Sequence, residues 1–79
     1  MATAEVTRYT ARVSVGRTTF TVHAERYVND TWTVTYDGMY LDSVADEWTV
    51  GRSDARKLSR DAAVRQAETL VEQVADSYR

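Results

Sequence analysis

The chain has 79 residues, 43% hydrophobic and 28% charged, with a net charge of −2 and neither cysteine nor proline. That composition fits one small globular domain rather than a disordered or membrane-spanning segment, and a chain this short buries only about 60% of its unfolded surface. One well-filled core, a partner or self-association must therefore supply stability, because no disulfide can form and a single histidine without cysteine rules out a Cys/His zinc site.

The opening MATAEVTRYT has neither a basic start nor an apolar run of signal-peptide length, and nowhere are there the roughly 20 apolar residues of a membrane span. A soluble, cytoplasmic protein without membrane association is the expectation. From Tyr9 onward, Tyr9, Ala11, Val13 and Val15 alternate with polar residues, and after Gly16-Arg17 the alternation resumes with Phe20, Val22 and Ala24. A two-residue turn there would pair Val13 with Phe20, Ala11 with Val22 and Tyr9 with Ala24, so that every apolar residue lands on one face.

Trp32, Val34 and Tyr36, set between threonines, predict a third strand, and Asp37-Gly38 is the strongest hairpin signal in the chain. Across that turn Tyr36 should meet Met39 and Val34 should meet Leu41. Between strands two and three, a two-residue Asn29-Asp30 loop would put Trp32 and Phe20 on opposite faces; a three-residue loop over 28–30, or a bulge, restores parity. The other face then reads Arg8, Thr10, Arg12, Thr21, His23, Glu25, Thr33, Thr35, Tyr40 and Asp42, a threonine-rich surface expected to be solvated or self-associating, with Arg8 opposite Glu25 and His23 between Thr10 and Thr35.

Residues 43–57 carry no clear period. Glu47 to Val50 reads as a short fifth strand or an arm, with Trp48 and Val50 on one side. Ser59 is a good N-cap, and Ala63, Ala67, Leu70, Val71, Val74 and Tyr78 recur at helical spacing with no Gly or Pro between them. Ser53 offers an earlier cap. The predicted fold is α+β and a single domain over 1–79: a four-stranded antiparallel meander, five-stranded if 47–50 pairs, with one C-terminal helix packed on one face.

Charge is segregated. Residues 28–51 contain Asp30, Asp37, Asp42, Asp46 and Glu47 with no basic residue, whereas 52–65 contain Arg52, Arg56, Lys57, Arg60 and Arg65 against Asp54 and Asp61. The basic run is the candidate nucleic-acid footprint, with weak, salt-sensitive binding expected from so few charges. Asp42, Asp46 and Glu47 show no calcium-loop spacing, and His23 has neither a nucleophile elbow nor an oxyanion glycine pair beside it, so no metal, cofactor or catalytic residue is assigned. The candidate partner-binding residues are Tyr40, Val44, Asp46, Glu47, Trp48 and Val50, where large apolar and acidic side chains coincide. Trp48 either folds back to close an edge of the core or stays exposed to anchor a basic protein or a second copy in a homodimer.

The FTVHAER stretch from Phe20 to Arg26, TWTVT from Thr31 to Thr35, and Leu58-Ser59 followed by Ala62 and Val64-Arg65-Gln66-Ala67 at the start of a long helix resemble HicB-type antitoxin domains. In that family a YTV.AER strand precedes a W.V strand, a third short strand and an L..A....R.AI helix. The similarity covers three short blocks between residues 20 and 75. This chain lacks the family's proline-glycine turn, adds a strand at 6–15, and is expected to lack a DNA-binding extension. The resemblance implies a non-catalytic sheet-and-helix module that binds a protein partner such as a toxin. Double-stranded RNA-binding domains share the strands-then-helix order, and GRSDARKLSRDAA from Gly51 to Ala63 is similar to their basic last-helix start, but their first helix is missing here and the net charge has the opposite sign. Nine arginines against one lysine, with abundant Thr, Val and Asp, point to a GC-rich source such as an actinobacterium or one of its phages, which suits an accessory or host-interaction role.

Overall fold

A computed structural model describes residues 6–78; the first five residues, part of the stretch read for a leader, lie outside it. The strands β1 (Arg8–Val15), β2 (Thr18–Arg26), β3 (Trp32–Tyr36), β4 (Met39–Leu41) and β5 (Trp48–Thr49) form one antiparallel sheet in sequence order. A 3-10 turn over Arg52–Asp54 leads to the helix α1 (Arg60–Tyr78), which packs across β2, β1 and β3. The expected α+β architecture is present, in its five-stranded form. No helix among the described residues is long and apolar enough to cross a membrane.

The turns set the register. Gly16 takes φ 61° and closes the first hairpin, pairing Val13 with Phe20, Ala11 with Val22 and Tyr9 with Ala24 as parity requires. In the next connection the Tyr27 N–H bonds the Thr31 carbonyl at 2.6 Å, enclosing the three-residue loop 28–30, in which Asn29 and Asp30 have φ of 49° and 63°. Short polar side chains tolerate that left-handed region best. Asp37 (φ 51°) and Gly38 (φ 76°) supply the two positive φ angles a tight hairpin needs to match strand twist.

With this register Ala11, Val22, Ala24, Trp32, Val34 and Leu41 meet Ala63, Ala67, Leu70 and Val71 in one core, ringed by half-buried Phe20, Tyr36, Trp48 and Leu58. Ser59 caps the helix: its Oγ accepts from the Ala62 N–H at 3.3 Å and its carbonyl from the Ala63 N–H at 2.9 Å.

Four expectations are corrected. The last turn of α1 buries Ala75, not Tyr78, which is exposed and lies with its ring 5.2 Å from Phe20; Val74 is only half-buried. The buried line therefore runs 63, 67, 71, 75, an i+4 ridge inclined to the helix axis. Between β3 and β4 the ladder holds Tyr36 to Met39 and Thr35 to Tyr40 and stops there, short of Val34 and Leu41. Residues 55–58 enter at that point: Leu58 and Trp32 exchange both backbone bonds at 2.8 Å, and Ala55 bridges Asp42. Thr33, expected on the wet face, is 2% exposed, and Ala55, which faces the same side as its partner Asp42, is 1% exposed. Ser53 sits in the 3-10 turn and starts no α-helix.

Leu70 is buried in the one large core among the described residues. Leu70→Asp would place an unpaired carboxylate there, and a cost of about 3–5 kcal/mol against a total of about 5–15 is expected to abolish the cooperative thermal transition seen by circular dichroism. Retention of the wild-type melting temperature would show that the helix register is wrong.

Candidate functional site

The connection from β4 to β5 is an acidic loop shaped from within. Asp42 Oδ1 accepts the N–H groups of Val44 (2.8 Å) and Ala45 (3.2 Å), while its own N–H bonds the Glu47 carbonyl at 2.8 Å. These two donated bonds, with a smaller contribution from the Arg56 charge, hold the Asp42 carboxyl below its usual pKa. Arg56 then braces the loop from behind. Its Nε donates to the Asp42 carbonyl (3.0 Å), its Nη2 to the Ala45 carbonyl (3.2 Å), and Nη2 pairs with Asp46 Oδ1 at 2.9 Å. A planar guanidinium can satisfy several acceptors at fixed angles, which an ammonium cannot.

On this braced loop Val44 is 90% exposed, and Val50, just past β5, is 82% exposed. Asp46 and Glu47 are exposed beside them, and Tyr40 is half-buried on the sheet face away from the helix. Trp48 pairs with Leu41, packs against the core and lies 5.3 Å from the Tyr36 ring, so it closes the edge of the core. Of the six residues read from sequence as a partner surface, Val44, Asp46, Glu47 and Val50 are thus outward-facing, and Trp48 is chiefly a packing residue.

The basic residues separate. Arg56 is committed to the loop. Arg52 and Lys57 converge on the Tyr27 ring, at 4.7 and 5.5 Å from its centroid. Arg60 lies 3.9 Å from Asp61 at the helix start, and Arg65 is on the helix, one turn on, beside Ala62 and Thr69. The role of Arg56 escaped sequence reading because two of its three loop partners are backbone carbonyls, which leave no mark in a residue pattern.

The threonine-rich face is hydrogen-bonded to itself. Thr10 Oγ1 and His23 Nδ1 are 2.8 Å apart, Thr35 Oγ1 donates to Glu25 Oε1 at 3.0 Å, and Arg8 pairs with the same carboxylate at 3.3 Å. No three His, Cys, Asp or Glu residues converge in metal-holding geometry among the described residues. No family model matches the chain, and no curated protein and no solved structure matches it either.

Two outcomes follow for the loop. Because the folded-state pKa of Asp42 lies below its unfolded value of about 3.9, the unfolded chain binds the extra proton, and the stabilisation is complete above that value and lost as pH falls through the lowered pKa. Asp42→Asn, which keeps an acceptor oxygen but not the charge, should lower neutral stability toward the value the wild type has in acid and so flatten the acid limb of a pH–stability curve; an unaltered limb would show that Asp42 does not report folding. Arg56→Lys should speed hydrogen exchange at the Asp42 amide by more than tenfold with the amides of β2 unaffected. Equal protection in both proteins would mean that the brace is not needed.

Proposed function

We propose that this chain is a small non-catalytic interaction module, antitoxin-like or a phage or host accessory factor, that binds a protein partner through the loop from Asp42 to Val50. The observation that carries this reading is the pair of nearly fully exposed valines, Val44 on the loop held by Asp42 and Arg56 and Val50 just past β5. Exposed apolar side chains on an ordered support bind with little ordering cost, and the neighbouring Asp46 and Glu47 favour a basic partner. A second copy is the alternative occupant. Nucleic acid remains the second reading, supported only by Arg52 and Lys57 at Tyr27 and by Arg60 and Arg65 on the helix.

The test compares the wild type with Val44→Asp/Val50→Asp. Surface changes of this kind shift stability by about 0.5 kcal/mol or less, so the variant should melt like the wild type. The wild type, tagged in its native cell, should retain a stoichiometric protein, or a dimer by light scattering, that the variant loses. If the variant retains the same partner, the loop is not the binding surface. Tight duplex binding at physiological salt that is lost in Arg52→Glu/Lys57→Glu would instead establish the nucleic-acid reading.

A further inference from the structure

The two edges of the sheet differ. β5 is two residues long, whereas β1 runs unbroken through eight residues, with every position from Arg8 to Val15 paired to β2 and no bulge, proline or lysine along it. Natural edges are normally blunted by such devices or by charged side chains, of which β1 carries Arg8 and Arg12, because a long free edge is a template for another strand. The Arg26 N–H bonds the Thr7 carbonyl at 2.9 Å, so odd-numbered residues form the bonded pairs with β2. By the alternation of an antiparallel ladder, the N–H and C=O groups of Arg8, Thr10, Arg12 and Ser14 then point outward. Among the described residues β1 is the terminal strand on that side.

Beside this edge a groove between β1 and α1 is lined by the strand from Tyr9 to Val13, Thr10 and Arg12 included, and by Glu68, Val71 and Glu72 of the helix. Its volume, about 180 Å³, is below the roughly 300 Å³ at which small-molecule pockets begin and suits individual side chains. Glu68 and Glu72 are exposed, one helical turn apart, and line the same groove as the strand. On the opposite face of the strand Arg12 is exposed.

The charges select the occupant. A second copy adding its own β1 would bring its Glu68 and Glu72 toward the same carboxylates on one face and its arginines toward Arg12 on the other. Like charges would meet on both faces. We infer that the β1 edge binds, by strand addition, an extended segment of a partner protein whose helix-facing side chains are apolar and basic and whose other face carries an acid or hydroxyl opposite Arg12. Main-chain bonds to the four outward residues give affinity, and Glu68 and Glu72 give selectivity for Lys or Arg at alternate positions.

The probe is a capped seven-residue peptide, Val-Thr-Lys-Glu-Lys-Thr-Val, whose two lysines stand at alternate positions on one face, with Val-Thr-Glu-Lys-Glu-Thr-Val as its charge-swapped control, titrated into the 15N-labelled protein to about 1 mM, the weak end of measurable recognition. The first peptide should bind at least tenfold more tightly than the second and shift the amides of Arg8, Thr10, Arg12 and Ser14 before others. Methylating its strand-facing backbone nitrogens should abolish the shifts, and Glu68→Lys/Glu72→Lys, at exposed positions that leave the fold intact, should reverse the preference. Val44→Asp/Val50→Asp should leave peptide binding unchanged, so failure here and failure of the loop reading are separable. No shift at 1 mM, equal affinity for both peptides, undiminished binding of the methylated peptide, or a wild-type dimer that buries the β1 amides would each overturn strand addition by a basic segment.

Discussion

The whole arrangement follows from a mismatch of widths. A helix with its side chains is about 10–12 Å across, and strands lie about 4.8 Å apart, so one helix covers two to three strands. The sheet has five. Helix α1 lies over β1, β2 and β3, and its alanines at 63, 67 and 75, all fully buried, let its axis approach the sheet closely. Its 19 residues, about 28 Å at 1.5 Å per residue, match the length of the nine-residue β2 beneath it. What lies beyond β3 must be closed by other means.

Those means are local. Trp48 tilts against Tyr36 at the rim of the core, and the stretch 55–58 fills the gap where β3 and β4 part, giving Trp32 and Leu41 the backbone partners that the ladder between these strands does not supply. Buried backbone groups must find partners, and in this chain an irregular segment supplies them. The same stretch bridges Ala55 to Asp42 and places Lys57, with Arg52 from the preceding 3-10 turn, on Tyr27. Arg56 then reaches the loop carbonyls, so the geometry of the acidic loop depends on the closure of the sheet end rather than on the loop's own residues alone.

This division explains what could be read from the residues. The meander was legible because parity limits the solutions: Gly16-Arg17 and Asp37-Gly38 mark two turns, and a loop over 28–30 or a bulge keeps Phe20 and Trp32 on one side, of which the structure has the loop. Ser59 marked the helix start for the same kind of reason, a side-chain oxygen matched to an orphan N–H. Residues 51–58 were illegible, since their role is to satisfy backbone groups of other segments and no periodicity encodes that. Thr33 and Tyr78 were misplaced because alternation and helical period state which way a side chain points, not what else covers it or where the helix axis crosses the sheet. At the candidate site the same limit applied: the sequence grouped Trp48 with Val44 and Val50 by composition, whereas packing against Tyr36 separates them.

The consequence of one-sided cover is that the surfaces left over are of different kinds. At the β5 side the exposed groups are side chains, Val44 on a braced loop and Val50 just past the strand; at the β1 side they are main-chain groups flanked by carboxylates. Four strand spacings, about 19 Å, separate the two edges, so a partner seated on one does not obstruct the other. The edges also differ in what they offer a second copy, β5 having only two residues to pair and β1 setting like charges above and below the strand. A small sheet with a single helix must expose an edge on either side, and here the charge pattern decides that the long one is selective rather than merely sticky.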